Sequence, residues 1–427
     1  MRAMKDSGIE WIGSIPEHWE VKPLKWDFDI IAGATPKTDN ANFWDGNIPW
    51  ITPADYKTED RYISQGRRNL SEEGMASCAT TLLPKGSIIF SKRAPIGLVV
   101  INSQPLCTNQ GCIGCVPKKD DARYYYYTMS IFTEQYELFG SGTTFKEISA
   151  SNFADFRLPH PSLTEQQAIA DYLDEKCAEV DEMIALQEQI IEELKAYKQS
   201  VITEAVTKGL NPAAPMRDSG IEWIGQIPEH WEVKRIKFIG KAENGLTYTP
   251  NDVCDESEGT LVLRSSNIQD GKLAFNDNVY VRSVPDSLKV RVGDIIICSR
   301  NGSASLVGKS ALVEDDIDAS FGAFMMRFRS SSNSKYIHFL LTATISHYKQ
   351  LFTTTTINQL TIGLINNIAM PFIGNAVEQQ AIADYLDEKC ADIDSLIQTK
   401  QQKIDSLKEY KKSIIYEYVT GKREVEL

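Results

Sequence analysis

The chain contains three segments that each occur twice, at nearly the same long separation. The matching pairs are residues 6–13 with 218–225 (D-S-G-I-E-W-I-G), 15–22 with 227–234 (I-P-E-H-W-E-V-K) and 165–178 with 378–391 (E-Q-Q-A-I-A-D-Y-L-D-E-K-C-A). The separation is 212 residues for the first two pairs and 213 for the third. Solenoid repeats recur every ~20–50 residues, so this period indicates a duplicated domain. The sequences between the matching segments differ, which favours a common frame that carries two different inserts.

The duplication divides the 427 residues into four parts, whereas length alone would predict about three domains of ~150 residues. We predict a globular domain over residues 1–163, a helical segment over 164–210, a second globular domain over 211–377 and a helical segment over 378–427. The chain has no apolar run of ~18 residues and no N-terminal targeting signal. The sequence therefore predicts a cytoplasmic protein without a membrane contact.

The charge of the chain is unevenly distributed. The net charge is −13, but residues 164–210 alone contain 11 acidic and 4 basic side chains. The two globular parts are close to neutral, so each can carry a local basic patch. Charge by itself neither indicates nor excludes a nucleic-acid partner.

The helical segments are the clearest structural prediction. No proline or glycine occurs from Glu165 to about Lys208, Gly209 follows as a stop signal, and Thr164 with Gln167 fits a capping box. Apolar residues then recur at alternating steps of four and three, which predicts a seam between two paired helices. The seam residues are Leu173, Val180, Ile184, Ile191 and Leu194 in the first copy and Leu386, Ile393, Ile397, Ile404 and Leu407 in the second.

Polar residues interrupt both seams at equivalent places. Gln187 corresponds to Lys400, and Lys198 corresponds to Lys411. A polar residue in a seam lowers stability but fixes the register of the helices. The alternative is an ordinary amphipathic helix that packs on a globular core.

The globular parts combine short β-rich runs with one helical stretch each, near residues 124–139 and 336–352. This shared order predicts one α+β fold with diverged surfaces. The repeated start, with two tryptophans and a proline turn, predicts a small anchoring element with buried tryptophans. His18 and His230 belong to this element, and we interpret them as structural residues.

The motifs of common enzymes are missing or incomplete. Asn47-Ile48-Pro49-Trp50 resembles the amine-binding loop of methyltransferases but lacks its first proline, and residues 302–310 exceed the phosphate-loop spacing by one residue. Cys112 and Cys115 form a single C-x-x-C in apolar surroundings, which indicates a buried strand and not a metal site. These observations predict a non-catalytic protein that binds no metal.

Polar turns at corresponding places in both halves are candidates for DNA recognition. Arginine suits guanine, asparagine suits adenine, and serine or backbone groups suit phosphate. The candidate residues are Lys37, Thr38, Lys92, Arg93, Thr143, Thr144, Lys146, Arg264, Asn267, Ser299, Arg300, Asn301, Ser303, Asn358 and Gln359.

The duplicated start, the E-Q-Q-A-I-A-D-Y-L-D-E-K helices and inserts such as residues 44–51 and 293–303 together resemble the specificity subunits of type I restriction-modification systems. The resemblance covers essentially the whole chain. It implies two tandem mixed α/β target-recognition domains, separated and joined by two long antiparallel coiled-coil helices with internal pseudo-two-fold symmetry. Each domain would read half of a bipartite, asymmetric site in double-stranded DNA.

The resemblance also implies partners. The helices would set the spacing of the half-sites and bind two modification subunits, which use S-adenosylmethionine. Restriction subunits would carry the ATP- and Mg-dependent cleavage, so no cofactor is expected on this chain. Two other hypotheses are a coiled-coil scaffold that joins protein partners without binding DNA, and a fused enzyme, against which the missing methyltransferase motifs argue.

Overall fold

The structure is a computed structural model that describes residues 2–93, 95–139, 146–349 and 358–425. The chain forms two compact units. Unit 1 comprises Met1–Glu188 and Gln402–Leu427, and unit 2 is the uninterrupted stretch Gln189–Gln401. Each of the two long helices therefore contributes one part to each unit.

The α-helices of the described residues are Leu24–Asp27, Glu72–Ala76, Ala122–Ser130, Thr133–Phe139, Ala150–Ala154, Leu163–Lys208 (the central helix), Ser334–Tyr348, Ile362–Asn367 and Ala376–Val419 (the C-terminal helix). The strands of unit 1 are Met4–Asp6, Ser14–Pro16, Glu20–Pro23, Phe28–Ala32, Trp44–Ile51, Tyr62–Ile63, Arg68–Leu70, Ile88–Ser91, Val99–Asn102, Cys107–Thr108, Cys112–Pro117 and Arg157–His160. The strands of unit 2 are Met216–Asp218, Gln226–Pro228, Glu232–Arg235, Gly240–Asn244, Val253–Cys254, Thr260–Leu263, Ile268–Gln269, Lys272–Leu273, Tyr280–Val281, Ile295–Cys298, Arg300–Asn301, Ser310–Leu312, Ala319–Phe321, Met325–Ser330, Asn358–Gln359 and Ala369–Phe372.

The largest sheet of unit 1 has five strands. Its strands follow the order Phe28–Ala32, Cys112–Pro117, Ile88–Ser91, Val99–Asn102 and Tyr62–Ile63. The neighbours are antiparallel except for the last pair, which is parallel. Every residue of the third and fourth strands is buried, as expected for apolar strands covered on both faces.

Unit 2 repeats the four antiparallel strands of this sheet with different residues. Its sheet has the order Gly240–Asn244, Met325–Ser330, Ile295–Cys298 and Ser310–Leu312, and all neighbours are antiparallel. The helix Ser334–Tyr348 packs on the last of these strands, as Ala122–Ser130 packs on its counterpart in unit 1. The predicted α+β plan beneath two diverged sequences is therefore confirmed.

In each unit the repeated start is hydrogen-bonded to the repeated beginning of a long helix. Trp19 is 1% exposed, and its Nε1 donates to Glu165 Oε1 at 3.0 Å. Trp231 is likewise 1% exposed and donates to Glu378 Oε1 at 2.9 Å. Because both partners belong to duplicated segments, this bond connects the repeated start to the repeated helix in the same way in each unit. The other tryptophan of the repeated start, Trp11 in unit 1 and Trp223 in unit 2, is only half-buried.

The two histidines of the repeated start reach the same carboxylates. His18 Nε2 lies 2.8 Å from Glu165 Oε1, and His230 Nε2 lies 2.9 Å from Glu378 Oε2. Both therefore have a structural hydrogen bond, in agreement with their interpretation from the sequence.

The start of the central helix differs from the prediction. Ser162 Oγ donates to Glu165 Oε2 at 2.8 Å, Ser162 N donates to the same atom at 3.1 Å, and Glu165 N donates to Ser162 Oγ at 3.3 Å. The capping box is therefore Ser162 with Glu165, and the predicted pair Thr164 with Gln167 is wrong. The helix begins two residues earlier than that pair requires, at Leu163. One carboxylate thus both caps the helix and anchors the tryptophan.

The long helices pack against one another in antiparallel orientation within each unit. In unit 1 the rings of Tyr172 and Tyr418 are 4.4 Å apart, and Lys411 Nζ lies 2.6 Å from Asp181 Oδ2. In unit 2 Lys198 Nζ lies 2.7 Å from Asp394 Oδ1. The two lysines are one equivalent pair of the polar interruptions of the heptad pattern, and each pairs with an aspartate of the opposite helix.

All ten predicted seam residues are shielded from solvent. The buried ones are Leu173, Val180, Ile191, Leu386, Ile393 and Ile404, and the half-buried ones are Ile184, Leu194, Ile397 and Leu407. Gln187, the other polar interruption of the first copy, is 8% exposed. Burial at these spacings fits the seam that the heptad pattern predicts.

Candidate nucleic-acid interface

In unit 2 four of the candidate DNA-reading residues line one groove of about 1160 Å³. Arg300 and Asn301 form a short strand that pairs with Asn358 and Gln359, and Arg264 reaches the groove from a different loop. The sequence presented these as three separate turns. The fold brings them together because the strand Ile295–Cys298 delivers residues 299–301 directly to the edge where residues 358–359 return.

Several of these polar side chains already have partners inside the loops. The Arg264 guanidinium contacts Asp277, with Nη2 2.8 Å from Oδ2. Asn301 Nδ2 donates to Ser265 Oγ at 3.1 Å, and Asn358 Nδ2 donates to the Gly302 carbonyl at 3.2 Å. These bonds shape the walls of the groove.

Asn267 is fully buried, whereas Arg264, Arg300 and Asn301 are half-buried. Its Oδ1 accepts the N–H of Arg264 at 2.9 Å, and its Nδ2 donates to the Ala274 carbonyl at 3.0 Å. The side chain therefore shapes the loop that carries Arg264. Ser299 is also buried, whereas Ser303 and Gln359 are exposed.

Arg300 occupies a different environment from Arg264. Its Cζ lies 5.3 Å from the centroid of the Phe324 ring, and the Phe324 side chain is 60% exposed. Phe324 was missed by the sequence reasoning. It follows Gly322 and Ala323 in a turn between two strands, and no periodicity distinguishes an exposed aromatic residue at such a place from a buried one.

In unit 1 the corresponding loop is held by one carboxylate. Lys92 Nζ and Arg93 Nε each lie 2.8 Å from an oxygen of Glu147. The hydrogen bond from Lys92 is the main cause of a lowered pKa at Glu147, and Arg93 adds to it. Arg93 and residue 147 also form a β-bridge, which matches the strand pairing at Arg300 in unit 2.

The remaining candidates of unit 1 lie on surface loops. Lys37, Thr38 and Lys146 are exposed, and the Lys37 carbonyl accepts the indole N–H of Trp44 at 3.3 Å. Thr143 and Thr144 lie outside the described residues. The assignment of all these side chains to DNA contacts remains a prediction.

The near-motifs of the sequence have structural explanations. Cys112 lies in a buried strand, and burial raises the pKa of its thiol to about 12, which leaves it protonated and unreactive. The segment that resembles a phosphate loop leads into the strand Ser310–Leu312, so it has no helix N-terminus to hold phosphate. Residues 47–50 lie within the strand Trp44–Ile51.

Among the described residues, one group of side chains places potential metal ligands close together: Asp27, Asp120 and His160 of unit 1. The Tyr125 hydroxyl lies 2.6 Å from Asp27 Oδ2 and 2.9 Å from His160 Nδ1. Hydrogen bonds within the protein thus already engage this group. No helix in the described parts of the chain is both long and apolar enough to cross a membrane.

Two mixed α/β domains on a duplicated frame, with paired helices and polar loops, define the class of a tandemly duplicated α/β protein. The sequence profile of the family described as Type I restriction modification DNA specificity domain matches residues 16–196 and 228–409. The chain belongs to this family and contains the domain twice.

Similar proteins carry the corresponding names. The MjaIX specificity subunit of a type I restriction enzyme from Methanocaldococcus jannaschii is 34% identical over 267 residues, which cover 61% of this chain and 60% of that protein. The MjaVIII specificity subunit from the same organism is 25% identical over 424 residues, which cover 96% and 93%. Sequence-specific DNA recognition is therefore favoured over a scaffold that does not bind DNA.

Solved structures share the fold. A chain from a study of complex assembly and conformational transition of the type I R-M system aligns with a TM-score of 0.71 at 14% identity, covering 95% of this chain and 98% of its own length. The HsdS subunit from Thermoanaerobacter tengcongensis aligns with a TM-score of 0.50 at 14% identity, covering 96% and 98%. The predicted fold class is thereby confirmed.

Proposed function

We propose that the two recognition domains read the two unlike halves of one bipartite site in double-stranded DNA. The observation that carries this proposal is that the frame is bonded alike in both units while the reading loops differ. Arg300 makes a cation–π contact with an aromatic ring in unit 2, whereas Lys92 and Arg93 converge on Glu147 in unit 1. Equal frames with unlike loops suit an asymmetric target.

The methylome of a host that carries the intact complex tests the proposal. Arg300→Ala should relax only the half-site that unit 2 reads, and the matched variant Arg93→Ala should relax only the other. Loss of one well-placed base contact costs roughly 1–3 kcal/mol of discrimination. Equal weakening on all sequences would instead make Arg300 a phosphate contact, and a methylome without sequence preference would refute DNA reading by this chain.

The second part of the proposal is that the helices set the spacer between the half-sites. The central and C-terminal helices contain 46 and 44 residues, and a helix rises about 1.5 Å per residue. Inserting one heptad into each helix preserves the seam and should change the length of the spacer while both half-site sequences stay the same. A change in the half-site sequences would contradict this role.

We further propose that this subunit is non-catalytic, and that modification subunits supply S-adenosylmethionine-dependent methyl transfer while restriction subunits supply ATP- and Mg-dependent cleavage. The near-motifs support this, since residues 47–50 lie in a strand and the segment that resembles a phosphate loop leads into a strand and not into a helix. The purified chain with S-adenosylmethionine should methylate no DNA until modification subunits are added. Methyl transfer by the chain alone would overturn this division of labour.

The helices offer matched surfaces for two copies of one partner, the modification subunit. Tyr197 and Tyr410 are 59% and 54% exposed, and Met183 and Leu396 are 42% and 50% exposed. Each member of a pair is separated from its counterpart by 213 residues and directly precedes a seam position. Unit 1 thus has Met183 and Tyr410, and unit 2 has Leu396 and Tyr197.

A stoichiometry measurement tests this partner surface. The double variants Met183→Ala/Tyr410→Ala and Tyr197→Ala/Leu396→Ala should each retain one of two modification subunits in native mass spectrometry, because each removes one patch. Leu186→Ala is the control, since Leu186 is 52% exposed but its counterpart is the polar Thr399. Retention of two subunits by both double variants would place the partner elsewhere.

A further inference from the structure

We infer that Arg300 and Phe324 act together as one base-reading pair, in which Arg300 binds a guanine and Phe324 contacts the methyl group of a thymine in the neighbouring base pair. The inference rests on the proposed role of unit 2 in reading DNA. It adds a specific residue, Phe324, and a chemical class of target, a guanine beside a thymine.

Phe324 is exposed on a backbone that is firmly held. Its side chain is 60% exposed, while its carbonyl accepts the N–H groups of Ser299 at 3.0 Å and Arg300 at 3.1 Å. Single exposed apolar residues are common on proteins. This one lines the groove that also contains Arg300, so its ring forms part of the candidate reading surface.

The Arg300 guanidinium keeps its hydrogen-bond donors available. In the part of the chain that the structure describes, no hydrogen bond or ion pair of its side chain is formed, although the residue is half-buried. Arg264 across the groove is paired with Asp277. The Arg300 Cζ lies over the Phe324 ring at 5.3 Å from its centroid, and such a cation–π contact does not use the N–H donors of the guanidinium.

The loop that carries Arg300 is rigidly positioned. Residues 300–301 pair with residues 358–359, Leu360 N donates to the Ser299 carbonyl at 2.8 Å, and Asn301 Oδ1 accepts the Ser303 N–H at 3.0 Å. A side chain that is held in advance loses little freedom on binding. This arrangement suits a specific contact better than a loose phosphate contact.

The two side chains fit adjacent features of a major groove. An arginine fork matches the O6 and N7 acceptors of guanine, and an aromatic or small apolar side chain suits the C5-methyl group of thymine. Because the guanidinium lies against the ring, the groups they contact must also be neighbours. The expected element in the half-site of unit 2 is therefore a guanine next to a thymine.

DNA duplexes with modified bases test the pair. The target sequence is first identified by selecting DNA that binds the complex of the chain with its modification subunits, and the affinity of that complex for each modified duplex is then measured. Replacing the neighbouring thymine with uracil removes only the methyl group and should weaken binding by the unaltered protein roughly fourfold. The same replacement should leave the affinity of Phe324→Ala unchanged and should still weaken binding by Phe324→Leu. Replacing the guanine with 7-deazaguanine should weaken the unaltered protein at least tenfold and leave Arg300→Ala unchanged.

The controls separate this inference from the proposed function. The thymine-to-uracil change in the other half-site should act equally on the unaltered protein and on Phe324→Ala. Two results would overturn the inference alone. One is sequence-specific binding by unit 2 to a target that has no guanine beside a thymine. The other is an equal loss of affinity, on replacing the thymine with uracil, for Phe324→Ala and for the unaltered protein. A complex with no sequence preference would overturn the proposed function as well.

Discussion

The two units differ most sharply at one buried place in their common frame. In unit 1 this place contains Asp27, Asp120, Tyr125 and His160. His160 Nδ1 lies 3.3 Å from Asp27 Oδ1 and 3.7 Å from Asp120 Oδ1. Asp27 is only 4% exposed. Burying such charges is costly unless they are paired and hydrogen-bonded.

Unit 2 builds the same place without charge. Phe372 faces Glu232 in the strand register just as His160 faces Glu20 in unit 1. Ile239 and Ile337, at the positions of Asp27 and Tyr125 after the offset of 212, are buried. The frame therefore forms with either a polar network or apolar packing. What both units share are other contacts, above all the bond from tryptophan to glutamate.

The largest expected effect tests whether the shared contacts are equivalent. Trp19→Ala and Trp231→Ala should each destabilise their own unit by about 3–5 kcal/mol, because each removes a fully buried aromatic side chain. Urea unfolding followed by hydrogen exchange would assign each loss to its unit. Trp→Phe at each position is the control, which keeps most packing and loses the hydrogen bond. Losses that differ greatly between the units would break the equivalence of the frames.

The next effect addresses the contrast directly. His160→Phe alone should destabilise unit 1 by about 3 kcal/mol, because it removes the ring nitrogen that lies against the Tyr125 hydroxyl and the buried Asp27. Transplanting the unit 2 set, as Asp27→Ile, Asp120→Ser, Tyr125→Ile and His160→Phe together, should restore stability to within about 1 kcal/mol of the starting protein. Urea midpoints compare the variants. A transplant as unstable as the single variant would mean that unit 1 needs its charged network.

A smaller effect concerns how the stability of unit 1 depends on pH. Burial alone would raise the pKa of Glu165, but hydrogen bonds from Trp19, His18 and Ser162 outweigh it and lower the pKa to about 2. The ordinary value is 4.5, so the stability from this carboxylate is complete above that pH and disappears as pH falls towards 2.

Glu165→Gln should therefore cost about 1.5–3 kcal/mol at neutral pH, and the difference from the unaltered protein should shrink between pH 4.5 and pH 2. Urea unfolding at a series of pH values measures this. A difference that stays constant down to pH 2 would show that the loss comes from geometry and not from charge.

The smallest effect should be equal in the two units. The ion pairs Lys198–Asp394 and Lys411–Asp181 are partly exposed, so double-mutant cycles should give about 0.2–1 kcal/mol for each. Each cycle compares the free energies of unfolding of the unaltered protein, the lysine-to-methionine variant, the aspartate-to-alanine variant and the double variant. A coupling energy of several kcal/mol in one unit only would reveal an asymmetry in the helix pairing.

The sequence predicted the features that depend on pattern. Heptad spacing predicted the seam from Leu173 to Leu194, and apolar runs predicted strands such as Ile88–Ser91, because burial leaves a regular trace along the chain. Partners of polar side chains leave no such trace. The motif fits Thr164 with Gln167 as well as Ser162 with Glu165, and the choice of Glu165 depends on its hydrogen bonds with Ser162 and Trp19 in the folded chain.

The candidate interface shows the same limit. The sequence identifies Arg300 and Asn358 as polar turn residues but not that they share a groove, since the pairing of residues 300–301 with 358–359 is a tertiary property. It gave Asn267 the same status as Arg300, although one is buried and the other is available to a ligand. Local composition does not distinguish these cases, because both residues follow apolar strands.

The division of the chain between the units has a consequence for its synthesis. Unit 2 is continuous, whereas unit 1 needs both the first 188 residues and the stretch from Gln402. At a translation rate of about 5–20 residues per second, the early part of unit 1 waits roughly 10–40 s for its closing helix. The apolar side chains of Ile414 and Val419 that join its core arrive last. We expect unit 2 to mature on the ribosome first, and the nascent first half to be the stage at which a chaperone or a protease acts.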